Sequence, residues 1–533
     1  MKKYTSHLYT LIFGILVFVF FTFFYYSHLY YQEQLQLFLY IDSYFFDMVC
    51  RPGGMSGYIG AFFTQFYYFP WIGALIIALL LMLLQELVLF LSNSFRRQPQ
   101  WMLLSFIPSV MYWSFLCDEN AMLAGLVALN LTLIAVCIYL IPDKLWKRTF
   151  TLLIGSVILY YWVGGVYVLF IIFGVLFEIF RFKDSRKRGA IVAQIGGLLI
   201  IIILPLVTST FYQDTLPRLY WGMNYYRFPN TDFYSFMYMW VPIILVPLVF
   251  AALPSQKTDK HRSVLFFCQL FGILFLAWFV LGQNMNFQKE EIMNYDFLVR
   301  GKNWPAIIKK AEKKIPKAPM SVADLNLALC QEGQMADRMF SFFQNGPEGL
   351  LPTFQRDFTL PLVTNEIYYY LGFINTSQRF AFEAMEAIPN YEKSGRVVKR
   401  LAETNLINGE YKVAEKYLKI LQKTLFYRKF ANRTMKLLGN EEAIDKHPEY
   451  GWLRKCRPEK DFLFSPAEKD MMLGTLFVHN KQNRMAFEYL MAYYLLTDNL
   501  KAFSKCLKLG ESIGYKRMPT SYRQALMYLD SHQ

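Results

Sequence analysis

The stretch WIGALIIALLLMLLQELVLFL (Trp71–Leu91), followed by SFRRQPQ (Ser94–Gln100), contains the pattern that decides the fold of this chain. A helix needs roughly 17–25 apolar residues to cross the hydrocarbon core of a membrane, and the first part has such a length. The second part carries Arg96 and Arg97, and loops rich in lysine and arginine stay in the cytoplasm during insertion. The stretch therefore predicts a membrane-spanning helix that ends on the cytoplasmic side.

The same alternation extends through the first half of the chain. Every second loop is basic, and these loops together hold 15 Lys and Arg residues, whereas the loops between them hold only Arg51, Arg218 and Arg227. We therefore predict nine spans in the cell inner (cytoplasmic) membrane, with a cytoplasmic N-terminus and an extracytoplasmic, periplasmic C-terminal half. The other predicted spans are Leu8–Tyr26, Trp101–Leu116, Ala121–Ile141, Phe150–Trp162, Val166–Phe180, Ile191–Val207, Met237–Ala252 and Val264–Leu281, and the basic loops are Met1–His7, Ser94–Gln100, Pro142–Arg148, Arg181–Gly189 and Pro254–Arg262.

The fifth and sixth predicted spans are short and are separated only by Gly164 and Gly165. Two adjacent glycines permit a tight turn, so the segment is read as two helices that meet outside the cytoplasm. A single kinked helix is the alternative, but it would place the basic residues of Arg181–Arg188 on the outer side. The charge pattern favours the turn.

The two outer loops of the membrane half that are longest differ in character. Residues 27–70 contain QLQLFLYIDSYFFDMV (Gln34–Val49) and then RPGG (Arg51–Gly54). The first part has amphipathic helical spacing that the Pro-Gly-Gly break ends, which predicts one or two helices on the membrane surface. Residues 208–236 combine Asp214, Arg218, Arg227 and Asp232 with many aromatic residues.

After Leu281 the sequence changes from apolar runs to amphipathic helical segments that resemble tetratricopeptide repeats. Five segments share a small or polar turn, then alanine, then large apolar positions. Their alanines are Ala306, Ala336, Ala381, Ala414 and Ala486. We therefore predict an all-α protein, with a transmembrane domain at residues 1–283 and a soluble, extracytoplasmic helical-repeat domain at residues 284–533. A generic helical bundle is the alternative. The five segments are Gly301–Lys313, Glu332–Phe343, Thr376–Met385, Gly409–Leu421 and Lys481–Tyr493.

The charge and cysteine content exclude several classes of protein. Residues 284–533 hold 37 Lys and Arg against 28 Asp and Glu, spread along helices as on a solvated surface. Nucleic acid is therefore not an expected partner outside the cytoplasm. Membrane lipid is an expected partner. The seven cysteines form no Cys-x-x-Cys or Cys/His spacing, which argues against structural zinc. Cys50 and Cys117 both lie at outer loops, so either a disulfide or two buried thiols fits the sequence.

Acidic and basic residues of the outer loops are the candidate site residues. Asp118 and Glu119 make up most of the loop between the third and fourth predicted spans, so they lie at headgroup depth. They could act as a base or hold a divalent metal near a polyprenyl phosphate, or simply cap the next helix. Asp42 and Asp47 could converge with them, or form the polar face of a surface helix. Arg218 and Arg227 are candidates to bind a lipid phosphate.

The layout of these loops resembles that of GT-C glycosyltransferases. Such enzymes have a first outer loop with surface helices and an acid, a second acidic outer loop, and a soluble outer C-terminal domain. The resemblance implies a polyprenyl-phosphate-linked sugar as substrate, with Asp42 or Asp47, Asp118 and Glu119 as base or metal ligands. The chain departs from the family in having no Asp-x-Asp pair. As a whole it also resembles uncharacterised bacterial multi-pass membrane proteins with an RPGG first loop and a tetratricopeptide-like C-terminal domain.

Two functional hypotheses follow from the sequence. One is a GT-C-like transferase of the cell envelope that uses a polyprenyl-phosphate-linked sugar or glycan. The other is a non-enzymatic membrane scaffold whose helical repeats recruit a protein partner. They differ in whether the charged residues of the outer loops converge on one site.

The predicted topology can be tested with a reporter fused after Gln283. Because nine spans place this point outside the cytoplasm, alkaline phosphatase fused there should be active, and a fluorescent protein that folds only in the cytoplasm should be dark. The same two reporters fused after Gln98 serve as the control and should give the opposite result. A fluorescent fusion after Gln283 would overturn the topology.

Overall fold

The structure is a computed structural model of 533 residues in which helices are the dominant element. It describes residues 3–180, 187–213, 215–221, 225–228, 238–253, 262–353, 359–389, 392–460, 462 and 464–531. Over these residues there is no β-strand, and the one bridge of that type joins Ala121 to Tyr226. Most of the predicted basic loops at 181–189 and 254–262, together with Asp214 and Asp232, lie outside the described residues. The protein is therefore all-helical, as predicted.

The chain forms two compact units. The first comprises Met1–Glu33 and Tyr40–Asn286, and the second comprises Gln34–Leu39 and Phe287–Gln533. The helices described in the first unit are α1 (Lys3–Val19), α2 (Tyr26–Gln34, whose last residue belongs to the second unit), α3 (Asp42–Val49), α4 (Gly54–Thr64), α5 (Pro70–Phe95), α6 (Phe106–Phe115), α7 (Leu123–Tyr139), α8 (Leu145–Val163), α9 (Tyr167–Phe180), α10 (Lys187–Thr208), α11 (Leu216–Trp221), α12 (Trp240–Ala252) and α13 (Arg262–Asn284).

Four helical stretches are long and apolar enough to cross a membrane by length and composition. They are His7–Phe24, Pro70–Phe95, Leu145–Phe180 and Ser263–Asn284. Three shorter apolar helices coincide with further predicted spans, namely Leu123–Tyr139, Ile195–Thr208 and Trp240–Ala252. The predicted third span is interrupted, because Pro99–Ser105 forms a 3-10 helix ahead of α6. Four spans are thus supported, and the count of nine stays a prediction.

The stretch Leu145–Phe180 consists of two antiparallel helices, not one. Gly164 has a φ of 58°, which is accessible chiefly to glycine, and the chain reverses there. Successive pairs of residues that face each other lie farther and farther from Gly164 along both helices, so α8 and α9 form an antiparallel hairpin. The pairs are Tyr160 with Tyr167, Gly155 with Phe170, Leu152 with Gly174, and Arg148 with Glu178.

The RPGG motif of the first outer loop packs against this hairpin turn. Gly53 has a φ of 75° and donates its N–H to the Tyr160 carbonyl oxygen at 3.1 Å. Seven residues later, a Cβ on Gly60 would lie 2.6 Å from the Cα of Ala124. Helices that approach so closely need small residues at the contact, as is common in membrane proteins. The motif thus follows the end of α3, and Gly60 after it lets α4 pack closely against α7.

The ends of the apolar helices gather into two groups of contacts. In one group the Tyr25 hydroxyl donates to the Cys117 carbonyl at 3.2 Å and accepts from the Asn286 N–H at 3.0 Å. In the other group Gln98 donates to the Phe250 carbonyl at 2.9 Å, and Gln269 donates to the Gln100 carbonyl at 2.8 Å. The first group contains loops predicted to lie outside the cytoplasm, and the second contains the predicted cytoplasmic loop at Ser94–Gln100.

The second unit is built from short amphipathic helices around its own apolar core. Its described helices are α14 (Phe287–Arg300), α15 (Trp304–Lys313), α16 (Pro319–Gln331), α17 (Met335–Arg338), α18 (Leu360–Leu371), α19 (Ile374–Ala387), α20 (Gly395–Asn408), α21 (Tyr411–Gln422), α22 (Arg428–Met435), α23 (Glu441–Lys446), α24 (Tyr450–Cys456), α25 (Lys469–His479), α26 (Arg484–Leu496), α27 (Leu500–Leu507) and α28 (Thr520–Ser531). The extended segment Gln34–Leu39 packs among them.

One type of turn recurs between these helices. A residue with φ between 52° and 86° is followed by a residue whose N–H bonds to the carbonyl oxygen five positions earlier, as in a Schellman motif. It occurs at Lys302, Gly333, Gly372, Gly409 and Asp498. The predicted repeats at Gly301, Glu332 and Gly409 begin at these turns. The recurring unit in the structure is therefore a turn with fixed chemistry, whereas a tetratricopeptide period stays a prediction.

Asparagine begins several of the helices that follow a turn. The side-chain oxygen of Asn303, Asn440, Asn483 or Asn499 accepts the backbone N–H of an alanine three residues later, at 3.0–3.4 Å. Such an N-cap satisfies one of the free N–H groups of the first helical turn. The alanines Ala306 and Ala486, which the sequence pattern singled out, are two of these partners. The Asn-x-x-Ala spacing is therefore a helix-start signal in this protein.

Ala414 provides a test of the packing in the second unit. It lies on α21 and is completely buried, so Ala414→Leu should overpack a helix contact and destabilise the unit by about 1–3 kcal/mol in chemical denaturation. Lys416→Leu, at an exposed position of the same helix, is the matched control and should change stability by less than about 0.5 kcal/mol. Equal effects of the two changes would contradict this packing.

Candidate functional site

The loop between α6 and α7 is held in place by polar side chains from one face of the second helix. His28 bonds through Nε2 to the Leu116 carbonyl at 3.0 Å, and Gln32 donates to the Ala121 carbonyl at 3.0 Å. Tyr25, just ahead of α2, donates to the Cys117 carbonyl. His28 and Gln32 share a face of α2 because they are four residues apart. All three side chains are buried, so their hydrogen bonds to the loop backbone are shielded from solvent.

Asp118 lies at the centre of this loop and already accepts two hydrogen bonds. One carboxylate oxygen accepts the Asn120 backbone N–H at 2.8 Å, and the other accepts the Tyr226 hydroxyl at 2.9 Å. The backbone N–H of Arg227 donates to the Asn120 carbonyl at 2.8 Å. We call Asp118, Glu119, Asn120, Tyr226 and Arg227 the Asp118 cluster. It joins two loops whose sequence positions differ by more than one hundred residues.

The six predicted site residues are divided among three elements. Asp118 and Glu119 share one loop, and the backbone N–H of Arg227 bonds to Asn120 of that loop. Asp42 and Asp47 lie exposed on α3, which packs on α4 through aromatic contacts such as Phe45 with Tyr58. Arg218 lies on α11 beside Leu219, whose carbonyl accepts the Tyr160 hydroxyl at 3.0 Å. Convergence of Asp42 or Asp47 with the loop acids stays a prediction.

Metal binding has a limited basis in the described part of the chain. No group of three or more His, Cys, Asp or Glu side chains suited to a metal ion occurs among those residues. A hard divalent cation prefers several oxygen ligands at once.

Three residues of this region were not predicted as site residues. His28, Gln32 and Tyr226 hold the loop that carries Asp118. The available signal was that His28 is the one histidine at an outer loop of the membrane half. Its role depends on the fold of residues 116–121, which local sequence does not reveal.

A second concentration of charge lies buried within the second unit. Arg396 on α20 bonds to Asp296 at 2.7 Å, to Glu366 at 3.2 Å and to the side chain of Gln34 at 2.8 Å. One turn later Arg400 bonds to Glu366 at 2.5 Å. All five side chains are less than about one-tenth exposed. Paired in this way, the charges avoid the several kcal/mol that each buried, unpaired ion would cost.

Gln34 brings a segment of the first outer loop into this unit. After α2 the chain is extended, and Leu35 and Phe38 are buried in the second unit. The Gln36 carbonyl accepts the Gly395 N–H at 3.3 Å, at the start of α20. The second unit therefore needs residues that precede most of the membrane half in sequence.

Two buried carboxyl groups of this region have opposite pKa shifts. Burial alone would raise the pKa of Glu366, but the guanidinium groups of Arg400 and Arg396 outweigh it and lower the pKa to about 2. Complete burial, with Asp296 as a second cause, raises the pKa of Asp324 well above its ordinary value. Both oxygens of Asp324 lack a hydrogen-bond partner. Glu366 is therefore held charged, and Asp324 is held towards its neutral form.

Comparison with known proteins identifies one related group. A family model with the description "Family of unknown function (DUF6057)" matches residues 2–533. No curated protein and no solved structure shows significant similarity to the chain.

The two carboxyl groups predict opposite effects of pH on stability. The folded pKa of Glu366 is below its ordinary value of 4.5, so its contribution is complete above about pH 4.5 and is lost as the pH falls towards about 2. Glu366→Gln should therefore lower stability by about 1–3 kcal/mol at pH 7 and by less at low pH. The folded pKa of Asp324 is raised, so its contribution is complete below about pH 4 and is lost as the pH rises.

Asp324→Asn should accordingly gain stability relative to the unmodified protein as the pH rises from about 4 to 7. Thermal unfolding followed by circular dichroism over this range measures both differences. Exposed Glu442→Gln is the control and should give a flat difference. Parallel pH profiles for Glu366→Gln and Asp324→Asn would contradict the electrostatic assignment.

Proposed function

The chain belongs to the DUF6057 family, a family of unknown function, and we propose that it is a non-enzymatic membrane scaffold of the cell envelope. In this proposal the first unit anchors the protein in the inner membrane with its N-terminus in the cytoplasm. The second unit presents helical repeats outside the cytoplasm and recruits a partner there.

The observation that carries this proposal is the number of chain connections between the units. The chain passes from one unit to the other at 33/34, at 39/40 and at 286/287. A soluble domain on a single linker is held by one connection and moves freely. Here the chain makes three such connections, and Gln34 of the inserted residues bonds to Arg396 within the second unit. A scaffold needs its binding unit tied to its anchor, and a second unit that includes residues 34–39 of the first outer loop meets this need.

The inserted segment also supports the proposed topology. Residues 34–39 and 287–533 form one unit, so they lie on the same side of the membrane. The chain between them must then cross an even number of times. Eight spans after residue 40 satisfy this condition, and so do the long apolar helices if the α8–α9 hairpin crosses twice. If each of the three long stretches after residue 40 crossed the membrane once, the number of crossings would be odd, which is inconsistent with this condition.

The hydrogen bonds of Asp118 give this carboxylate a structural role. A general base must be able to accept a proton from a bound substrate. Both oxygens of Asp118 already accept hydrogen bonds from Asn120 and Tyr226, which hold two loops together. The carboxylate therefore has a structural task that a scaffold needs as much as an enzyme does.

A GT-C-like transferase is the second candidate function, and one observation favours it. The loop that carries Asp118 and Glu119 is bonded to Tyr226 and to the backbone of Arg227, which are distant in sequence. Beside a bilayer, a carboxylate pair with an arginine could bind a polyprenyl-phosphate-linked sugar and take up the acceptor proton. Asp42 or Asp47, and Arg218, would complete the site, with or without a divalent metal ion.

Lipid extraction separates the two functions. A scaffold predicts that a deletion strain accumulates no polyprenyl-linked glycan, and that Asp118→Asn combined with Glu119→Gln restores function at a normal protein level. A transferase predicts accumulation in the deletion strain and in the double variant, because the charge is lost while the shape is kept. Asp143→Asn, an exposed acid in a predicted cytoplasmic loop, is the matched control. Accumulation in the double variant but not in this control would overturn the scaffold.

A further inference from the structure

Both tryptophans of the second unit line one cavity. Trp304 and Trp452 are the two tryptophans in residues 287–533, and they border a cavity of about 390 Å³. Tyr370 is a third aromatic residue of the lining, and its ring meets Trp304 edge to face with 5.6 Å between centroids. Small-molecule sites range from about 300 to 1,000 Å³. A cavity at the lower end of this range suits a small ring-shaped ligand better than a peptide.

The polar groups of the lining come in compensated pairs. Lys302 Nζ lies 2.5 Å from a Glu449 carboxylate oxygen, and Arg484 Nε lies 2.7 Å from Glu488. The side chains of Lys302 and Arg484 are 49% and 46% exposed, so their remaining donors are accessible. Glu449 offers acceptor lone pairs beside them. The lining thus presents donors and acceptors together around aromatic rings, with little uncompensated charge.

Lys302 holds a backbone conformation that is costly for a lysine. Its φ is 52°, in the left-handed region, where a residue with a Cβ loses about 1–2 kcal/mol. The neighbouring Gly301 does not have a positive φ. A lysine at this position places its ammonium 5.8 Å from the Tyr370 ring centroid and beside Glu449. Strained residues of this kind cluster at ligand sites, where the surrounding structure maintains them.

We infer that this cavity binds a pyranose ring of a glycan. Each sugar hydroxyl both donates and accepts a hydrogen bond, which matches the mixed pairs around Lys302 and Arg484. The apolar face of a sugar ring packs on an indole, and Trp304 and Trp452 both line the cavity. A strongly anionic ligand would instead require cations without acidic partners. This inference deepens the proposed function and rests on it in taking the second unit as the binding part of the protein.

The test uses the full chain in lipid nanodiscs, because glucoside and maltoside detergents would compete for the cavity. The probes are glucose, N-acetylglucosamine and glucuronic acid, each up to about 20 mM, with the tripeptide Ala-Trp-Ala for comparison. Saturation-transfer NMR detects contact, and titration calorimetry gives the affinity. At least one saccharide should bind saturably, and the tripeptide should not. Binding of the tripeptide alone, or no saturable binding of any saccharide, would overturn the inference.

Variants locate the binding within the molecule. Trp304→Leu and Trp452→Leu should each weaken saccharide binding at least tenfold, because each removes a stacking face. Phe382→Leu is the matched control, since Phe382 is 39% exposed and Trp452 is 38% exposed, and it should leave the affinity unchanged. If both tryptophan variants bound the saccharide as tightly as the unmodified protein does, the sugar would bind elsewhere and the inference would be overturned.

Lys302→Met keeps the site testable if a tryptophan variant fails to fold. It retains the length of the side chain but removes the ammonium, so saccharide binding should fall while the melting temperature stays unchanged. Unchanged binding in this variant would contradict the role of Lys302. Sugar binding is measured on purified protein and the proposed function by lipid extraction from cells, so failure of one is distinguishable from failure of the other.

Discussion

The burial of the Arg396 guanidinium creates a requirement that connects distant parts of the chain. A buried cation costs several kcal/mol unless acids and polar acceptors surround it. Asp296, Glu366 and Gln34 fill this role, and they come from α14, α18 and the segment after α2. Since Gln34 precedes most of the membrane half, the second unit cannot complete its core from residues 287–533 alone. The inserted segment and the three chain connections between the units both follow from this arrangement.

Local chemistry repeats throughout the second unit even though the intervals between repeats vary. The same left-handed turn occurs at Lys302, Gly333, Gly372, Gly409 and Asp498, at unequal spacings. Glycine serves at three of these positions, whereas Lys302 and Asp498 hold the conformation at a cost. In the case of Lys302, the side chain points to a cavity lined by both tryptophans of the unit. The turn thus has a structural role at all five positions, and at Lys302 it also places a charged side chain at the cavity.

The membrane half shows how far loop chemistry and helix packing depend on each other. The short loop at Asp118 has little chain of its own with which to satisfy its backbone groups. Tyr25 and the α2 residues His28 and Gln32 satisfy several of them, and the Asp118 carboxylate then binds Asn120 and Tyr226. Asp118, which looks catalytic in the sequence, is in this way also a residue that joins two loops. This double use explains why composition alone does not separate an enzyme from a scaffold.

The sequence by itself determined the features that depend on neighbours within a few residues. Apolar run length predicted the helical stretches that are long and apolar enough to cross a membrane, and Gly164 and the RPGG motif marked turns that are present. Asn-x-x-Ala starts and Schellman turns are local in the same sense. The tertiary structure alone decided that Gln34 meets Arg396, that Tyr226 meets Asp118, and that Trp304 and Trp452 share a cavity. Each of these contacts joins residues more than one hundred positions apart, and their meeting depends on packing the whole unit, which no local periodicity encodes.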